Sequence, residues 1–138
     1  MTIQQTQTTS FKKELYQGVH DLSTDHIYIA LYTSNASLDQ NTTVYSSTNE
    51  ITGSGYTAGG QQLLNPIISS SGYTAYVTFD NASWSGALTA RCALIYNASK
   101  ANRAIAILDF GSNKTSTTTF TVTLPPNTAE TALIRSSN

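Results

Sequence analysis

Apolar positions recur along this chain mostly with the period of a strand. From His26 to Thr33, Ile27, Ile29 and Leu31 alternate with Tyr28, Ala30 and Tyr32. A period of two puts these sets on opposite faces of one strand, and because both sets are apolar the strand is expected well inside a sheet. Further strands are predicted over Tyr73–Asp80, Leu88–Tyr96, Ala104–Phe110 and Thr119–Leu124. The near-continuous apolar run Leu88–Tyr96 reads as a central strand. Phe120, Val122 and Leu124 alternate with threonines, so one face of the last strand is wet, and Pro125-Pro126 ends it. Ala132–Arg135 adds a final short strand.

A different period appears near the start. Phe11, Leu15 and Val19 recur every four residues, with Leu22 near the same stripe. Ser10 stands where an N-cap belongs, so a short amphipathic helix is expected, its last turn weakened by Gly18. Residues 1–10 ahead of it are Thr- and Gln-rich and read as a flexible tail, reaching a neighbouring subunit through Thr9. Residues 11–138 then form one domain. The fold class expected is all-β, a two-sheet antiparallel β-sandwich of jelly-roll type with one short N-terminal helix. Its predicted core comprises Leu15, Ile27, Ile29, Leu31, Val77, Phe79, Trp84, Leu94, Ile107, Phe110, Phe120, Val122 and Leu124.

Between the first strand and Pro66 the pattern lapses. Ser34–Thr52 is a polar loop with extended pieces near Val44-Tyr45 and Glu50-Ile51. Gly53, Gly55, Gly59 and Gly60 follow within eight residues and are expected to form a turn with unusual backbone angles. Gly53-x-Gly55-x-x-Ala58 loosely matches a dinucleotide fingerprint, but no apolar strand precedes it, no helical pattern follows, and the P-loop lysine is missing.

Composition sharpens the functional reading. Charged residues are 11% of 138, against roughly 25% in average proteins, so the surface is polar but uncharged and cheap to desolvate. Net charge is −1 and no basic run exists, which argues against nucleic-acid binding. No segment reaches membrane-span length and the polar start lacks an apolar leader, so no membrane partner is expected. His20 and His26 lack a third ligand at metal spacing, and Ser83-Trp84-Ser85-Gly86 lacks the leading glycine of a nucleophile elbow. Trp84 reads as a buried strand anchor, and Asp80 and Asp109 as turn caps. Cys92, the one cysteine, reads as a buried small hydrophobe. The expected inventory is therefore no catalytic residue, no cofactor and no metal.

The segment Thr48-Asn49-Glu50-Ile51-Thr52-Gly53-Ser54-Gly55-Tyr56-Thr57-Ala58-Gly59-Gly60 resembles one in a widespread group of small tailed-bacteriophage virion structural proteins. Ile27–Tyr32, the stretch Ala90-Arg91-Cys92-Ala93-Leu94-Ile95-Tyr96 and Ala104–Gly111 match in order, so the resemblance spans about Phe11 to Leu124. The chain departs from the group's pattern at Cys92, where an aromatic residue is common, and in its longer end after Pro126. The resemblance implies a virion protein, assembled in the host cytoplasm, with no catalytic residues to carry over. It leads us to expect a capsid decoration or cement protein. That protein would act on other virion proteins, the major capsid protein first, and would form a homo-oligomer, a trimer in the favoured case. A tail, adaptor or fibre-associated component is the alternative within the same class. Outside it stand a carbohydrate-binding host-attachment module, which would group exposed tyrosines in one groove, and a hydrolase, which would need a deep pocket with a perturbed acid or base. The interface residues expected are Thr9, Tyr45, Glu50 and Tyr56, with Gly55 and Gly59 as hinges of the turn.

Overall fold

The computed structural model describes residues 2–137; Met1, in the expected tail, and Asn138, in the expected domain, lie outside them. The chain forms β1 (Thr6–Gln7), α1 (Thr9–Tyr16), β2 (Ile27–Tyr32), β3 (Gln61–Gln62), β4 (Ile67–Ser71), β5 (Thr74–Thr78), β6 (Ala82–Ser85), β7 (Thr89–Asn97), β8 (Arg103–Thr115), β9 (Thr119–Val122) and β10 (Ile134–Ser136). Every ladder between them is antiparallel. This is the expected all-β, sandwich-like fold with one short helix. One layer is a five-stranded sheet in the order β1-β8-β7-β2-β3. Facing it are two smaller ladders, β10-β5-β4 and β6-β9.

The alternation read from β2 explains why the large sheet is buried on both faces. Ile27, Ile29 and Leu31 enter the main core with Ile95, Ile105, Val77, Trp84, Phe120 and Ile134. Ala30 and Tyr32 enter a second cluster on the other face, with Cys92, Leu94, Tyr96 and Ile107. Ala36 and Leu38, from the 34–52 loop, complete that second cluster. The loop that holds the expected interface residues Tyr45 and Glu50 is thus also the lid on a second small core. Leu15, Phe110 and Leu124 are only partly buried; the other predicted core residues are fully in.

The start of the chain differs from expectation in three ways. The expected tail is built into the sheet: Thr6 and Gln7 pair with Ile107 and Ala106, and Ile3 bridges Leu38. Its backbone groups complete the ladder left open on β8. The helix cap is Thr8, not Ser10; the Thr8 hydroxyl accepts from the Phe11 amide at 3.1 Å and is fully buried. The helix stops at Tyr16 because Gly18 takes a left-handed conformation (φ 72°). Gly18 N–H then donates to Leu15 and Val19 N–H to Glu14, closing the end as a Schellman motif. Val19 and Leu22 follow the helix rather than extend it.

The turn between β7 and β8 carries a small strain. Ala101 sits at φ 57°, where a Cβ crowds the following carbonyl. Ala101→Gly is expected to stabilise the protein by about 0.5–1 kcal/mol, the relief of left-handed strain less the added chain entropy. A higher urea midpoint at unchanged slope would show it; a lower midpoint would refute the strain.

Candidate functional site

The most unusual polar arrangement lies along the free edge of β2. Asn49–Ile51 runs beside the end of that strand: Thr33 N–H donates to Asn49 O at 2.9 Å and Ile51 N–H to Leu31 O at 3.0 Å. Gln61 and Gln62 pair with Ile29 and Tyr28 at the other end, and Leu63 N–H donates to Ile27 O at 2.7 Å. Between these two stretches the glycine segment leaves the edge. Leu31 N–H would be orphaned there, but the Tyr56 hydroxyl accepts from it at 3.0 Å. One side chain therefore stands in for a missing length of strand.

Glu50 holds that arrangement together. Its Oε2 accepts from the Tyr56 hydroxyl and from Gly59 N–H, the latter at 2.8 Å. Its Oε1 accepts from the Tyr45 hydroxyl at 2.5 Å. The Tyr96 hydroxyl donates to Gly59 O at 2.6 Å, and the Tyr45 and Tyr96 rings stack with centroids 4.7 Å apart. Burial, with the Glu50 carboxylate beside them, drives the hydroxyls of Tyr32, Tyr45 and Tyr56 well above the ordinary phenol range. Burial first, then Glu50, pushes Tyr96 up to about 12. These phenols stay protonated donors at any physiological pH.

Of the residues singled out from sequence, Tyr45, Glu50, Tyr56 and Gly59 thus meet in one cluster. Their reactive atoms turn inward, to each other. Tyr32 and Tyr96 belong to the same neighbourhood and were not singled out as site residues; their position on the second face of their strands is the signal that places them there. Thr9 lies elsewhere, exposed at the first turn of α1, its N–H donating to Gln40 O at 2.9 Å. Gly53 starts the turn by accepting from Tyr56 N–H, and Gly60 ends it against Ile29. A strand, β3, follows the glycines, where a dinucleotide loop would lead into a helix.

The other chemistry-bearing groups are similarly engaged. The His20 side chain has no solvent exposure, and its Nε2 lies 2.8 Å from Glu14 Oε1. Its Nδ1 lies 2.9 Å from Asn97 Nδ2, which also donates to Asp25 Oδ2 at 2.8 Å. Since Asn97 Nδ2 can only donate, His20 Nδ1 accepts and Nε2–H donates to Glu14. Asp109 lies inside β8 rather than at the turn expected of it, where it accepts from Arg91 and from Gly111 N–H; Trp84 is buried against Phe120, as a strand anchor should be. Burial pushes the Cys92 thiol up to about 12, far from a reactive thiolate. Among the described residues no group of three or more His, Cys, Asp or Glu is placed to hold a metal ion.

Asp25 adds a pH dependence. Its burial would raise the carboxyl, but hydrogen bonds from Asn97 and Lys100 outweigh that and hold it at about 2. Lys100 Nζ lies 3.0 and 2.9 Å from its two oxygens. A carboxyl depressed by folding contributes stability in full above its unfolded value near 3.8, and that contribution is lost as pH falls through about 2. We expect about 1–2 kcal/mol, allowing for solvent screening, to disappear across that window. Urea unfolding as a function of pH should show a shallower acid slope in Asp25→Asn; an unchanged slope would place the acid sensitivity elsewhere.

No protein family, curated protein or solved structure matches the chain in comparison.

Proposed function

We propose that this chain is a non-enzymatic structural protein of a tailed-phage virion, a capsid decoration or cement protein that binds the major capsid protein. The observation that carries the reading is the commitment of its polar machinery. Glu50 with three tyrosines, His20 and Asp25 with Asn97, and Asp109 with Gly111 each spend their hydrogen bonds on neighbouring groups of the fold. What remains outward is a low-charge surface of Ser, Thr, Asn and Gln. From Ile51 to Phe79 not one residue is charged. Surfaces of that kind associate without stripping ions of water, so many modest contacts sum to stable binding. The tyrosines that gather on one face, Tyr28, Tyr45 and Tyr96, pack against each other, and Tyr45 and Tyr96 spend their hydroxyls internally. That favours structural padding over a sugar-stacking platform.

The test is co-sedimentation of the purified protein with undecorated capsid shells. Saturable, stoichiometric binding that raises the shell's unfolding temperature is expected. Binding to isolated tails and not to shells would move the protein to the tail; retention on a glycan array with neither would replace the structural reading.

A further inference from the structure

We propose that two copies of this chain pair through the edge strand β4, antiparallel, about a two-fold axis at Ser69. The contact goes beyond the shell-binding reading and stands independently of it. The other sheet margins are short, carry a side-chain or loop bond, or, on β8 beyond β1, carry Lys114 and the left-handed Gly111. The Gln7 amide donates to Arg135 O on β10 at 2.6 Å, the Gln61 amide to Ser83 O on β6 at 2.6 Å, and Asn49–Ile51 with the glycine segment after it, together the strap, covers β2. On β4 the ladder to β5 uses one side. Among the described residues no hydrogen bond reaches residues 67–71 from anywhere else. No lysine, bulge or covering loop blocks that edge, the devices by which monomeric sheets avoid pairing.

The side chains there are also unfinished. Ile68 pairs with the buried Val77 and so faces the core side, yet it is 58% exposed; Ile67, on the opposite face, is 53% exposed. Beside Ile68 runs a groove of about 490 Å³, with Phe11, Leu15, Leu22, Val77 and Ile134 in its walls. The sheet ends one strand short of covering its own apolar side.

A second copy fits this edge in two respects. The whole stretch from Ile51 to Phe79 is uncharged, so like approaches like without Coulombic cost. The order Ile67-Ile68-Ser69-Ser70-Ser71 is self-complementary when reversed about Ser69. Ile68 of each copy then lies opposite Ser70 of the other on the core side, and Ile67 opposite Ser71 on the outer side. Each large residue meets a small one, and neither isoleucine collides with its equivalent. The same register brings Tyr73, 88% exposed at the hairpin tip, next to the Asn65-Pro66 corner of the other copy. A contact of this kind is isologous and closes on itself, so it joins copies in twos, whether single chains or larger rings.

Ser69 supplies the test, because its side chain lies on the outer face and meets its own equivalent on the axis. Ser69→Lys and Ser69→Asp each set like charges against each other, whereas a mixture of the two sets opposite charges together. By light scattering after size exclusion at up to millimolar concentration, the wild type is expected at an even multiple of the chain mass. Each variant alone is expected at half that mass, with the mixture restored. Ser69→Cys is expected to form a disulfide-linked pair under mild oxidation, since Cys92 is fully buried. A monomer or an odd multiple for the wild type, masses unmoved by the charged variants, or no rescue on mixing would overturn the pairing. None of those outcomes would by itself affect binding to shells, which is measured separately.

Discussion

Replacing Gly60 by alanine is expected to cost more than about 4 kcal/mol, a large part of the roughly 5–15 kcal/mol that holds a domain of this kind folded. Gly60 lies at φ 79°, and a Cβ there would sit 1.8 Å from Ile29 O and 2.8 Å from Ala30 Cα. Neither atom can yield, because Ile29 is paired on its other side with Ile95 in the middle of the sheet. Gly55→Val should be comparably severe: at φ 91° its Cβ would meet Ser85 O at 1.8 Å, where the strap crosses the turn before β7. Gly59→Val should be milder, with strain from φ 97° but only the Tyr96 hydroxyl nearby, at 3.4 Å. Gly72→Ala is the control, with φ 59° and open space around it, for about 1–2 kcal/mol. Urea unfolding of soluble protein ranks the four. Equal losses at Gly60 and Gly72 would mean that backbone angle alone matters and close packing does not.

Glu50→Ala should come second, with a loss of about 3 kcal/mol. Three donors, the hydroxyls of Tyr45 and Tyr56 and Gly59 N–H, lose their acceptor, at about 1–3 kcal/mol for each one left buried without a partner. Glu50→Gln should lose less, about 1–2 kcal/mol. Its oxygen can serve Tyr56 and Gly59 while its amide faces a Tyr45 hydroxyl free to rotate and accept. Chemical denaturation measures the loss, and tyrosine near-ultraviolet dichroism reports whether the cluster has opened. The pair of variants also decides between two roles for Glu50. Full stability with failed assembly would make it the contact residue expected from the sequence; lost stability makes it the clasp of the β2 edge.

The aromatic cluster and the strap together explain why the glycine-rich segment carries so specific a pattern. Glu50, Tyr56, Gly59 and Gly60 each satisfy a separate demand of one edge: an acceptor, a replacement for a strand, an amide for that acceptor, and a backbone without a Cβ. The requirement is steric and electrostatic.

Periodicity alone determined much of this protein. The strands β2, β5, β7, β8 and β9 were legible because alternating apolar residues must be buried on a pleated surface, and the run through β7 marked the centre of a sheet. The residues of the main core followed from the same rule. Other elements depended on partners distant in sequence. Thr6–Gln7 has no strand pattern and becomes one because β8 offers it an open edge. β4, with three serines in five residues, and β6, with Trp84 among serines, have weak intrinsic preference and are held by β5 and β9. The glycines announced unusual backbone, but only the three-dimensional path showed which carbonyls they must clear. Tyr45, Glu50 and Tyr56 were legible as polar and aromatic residues worth noticing, while their inward direction was not. A side chain's direction on an irregular segment is set by the strand edge it must satisfy, and that edge lies some twenty residues earlier in the chain.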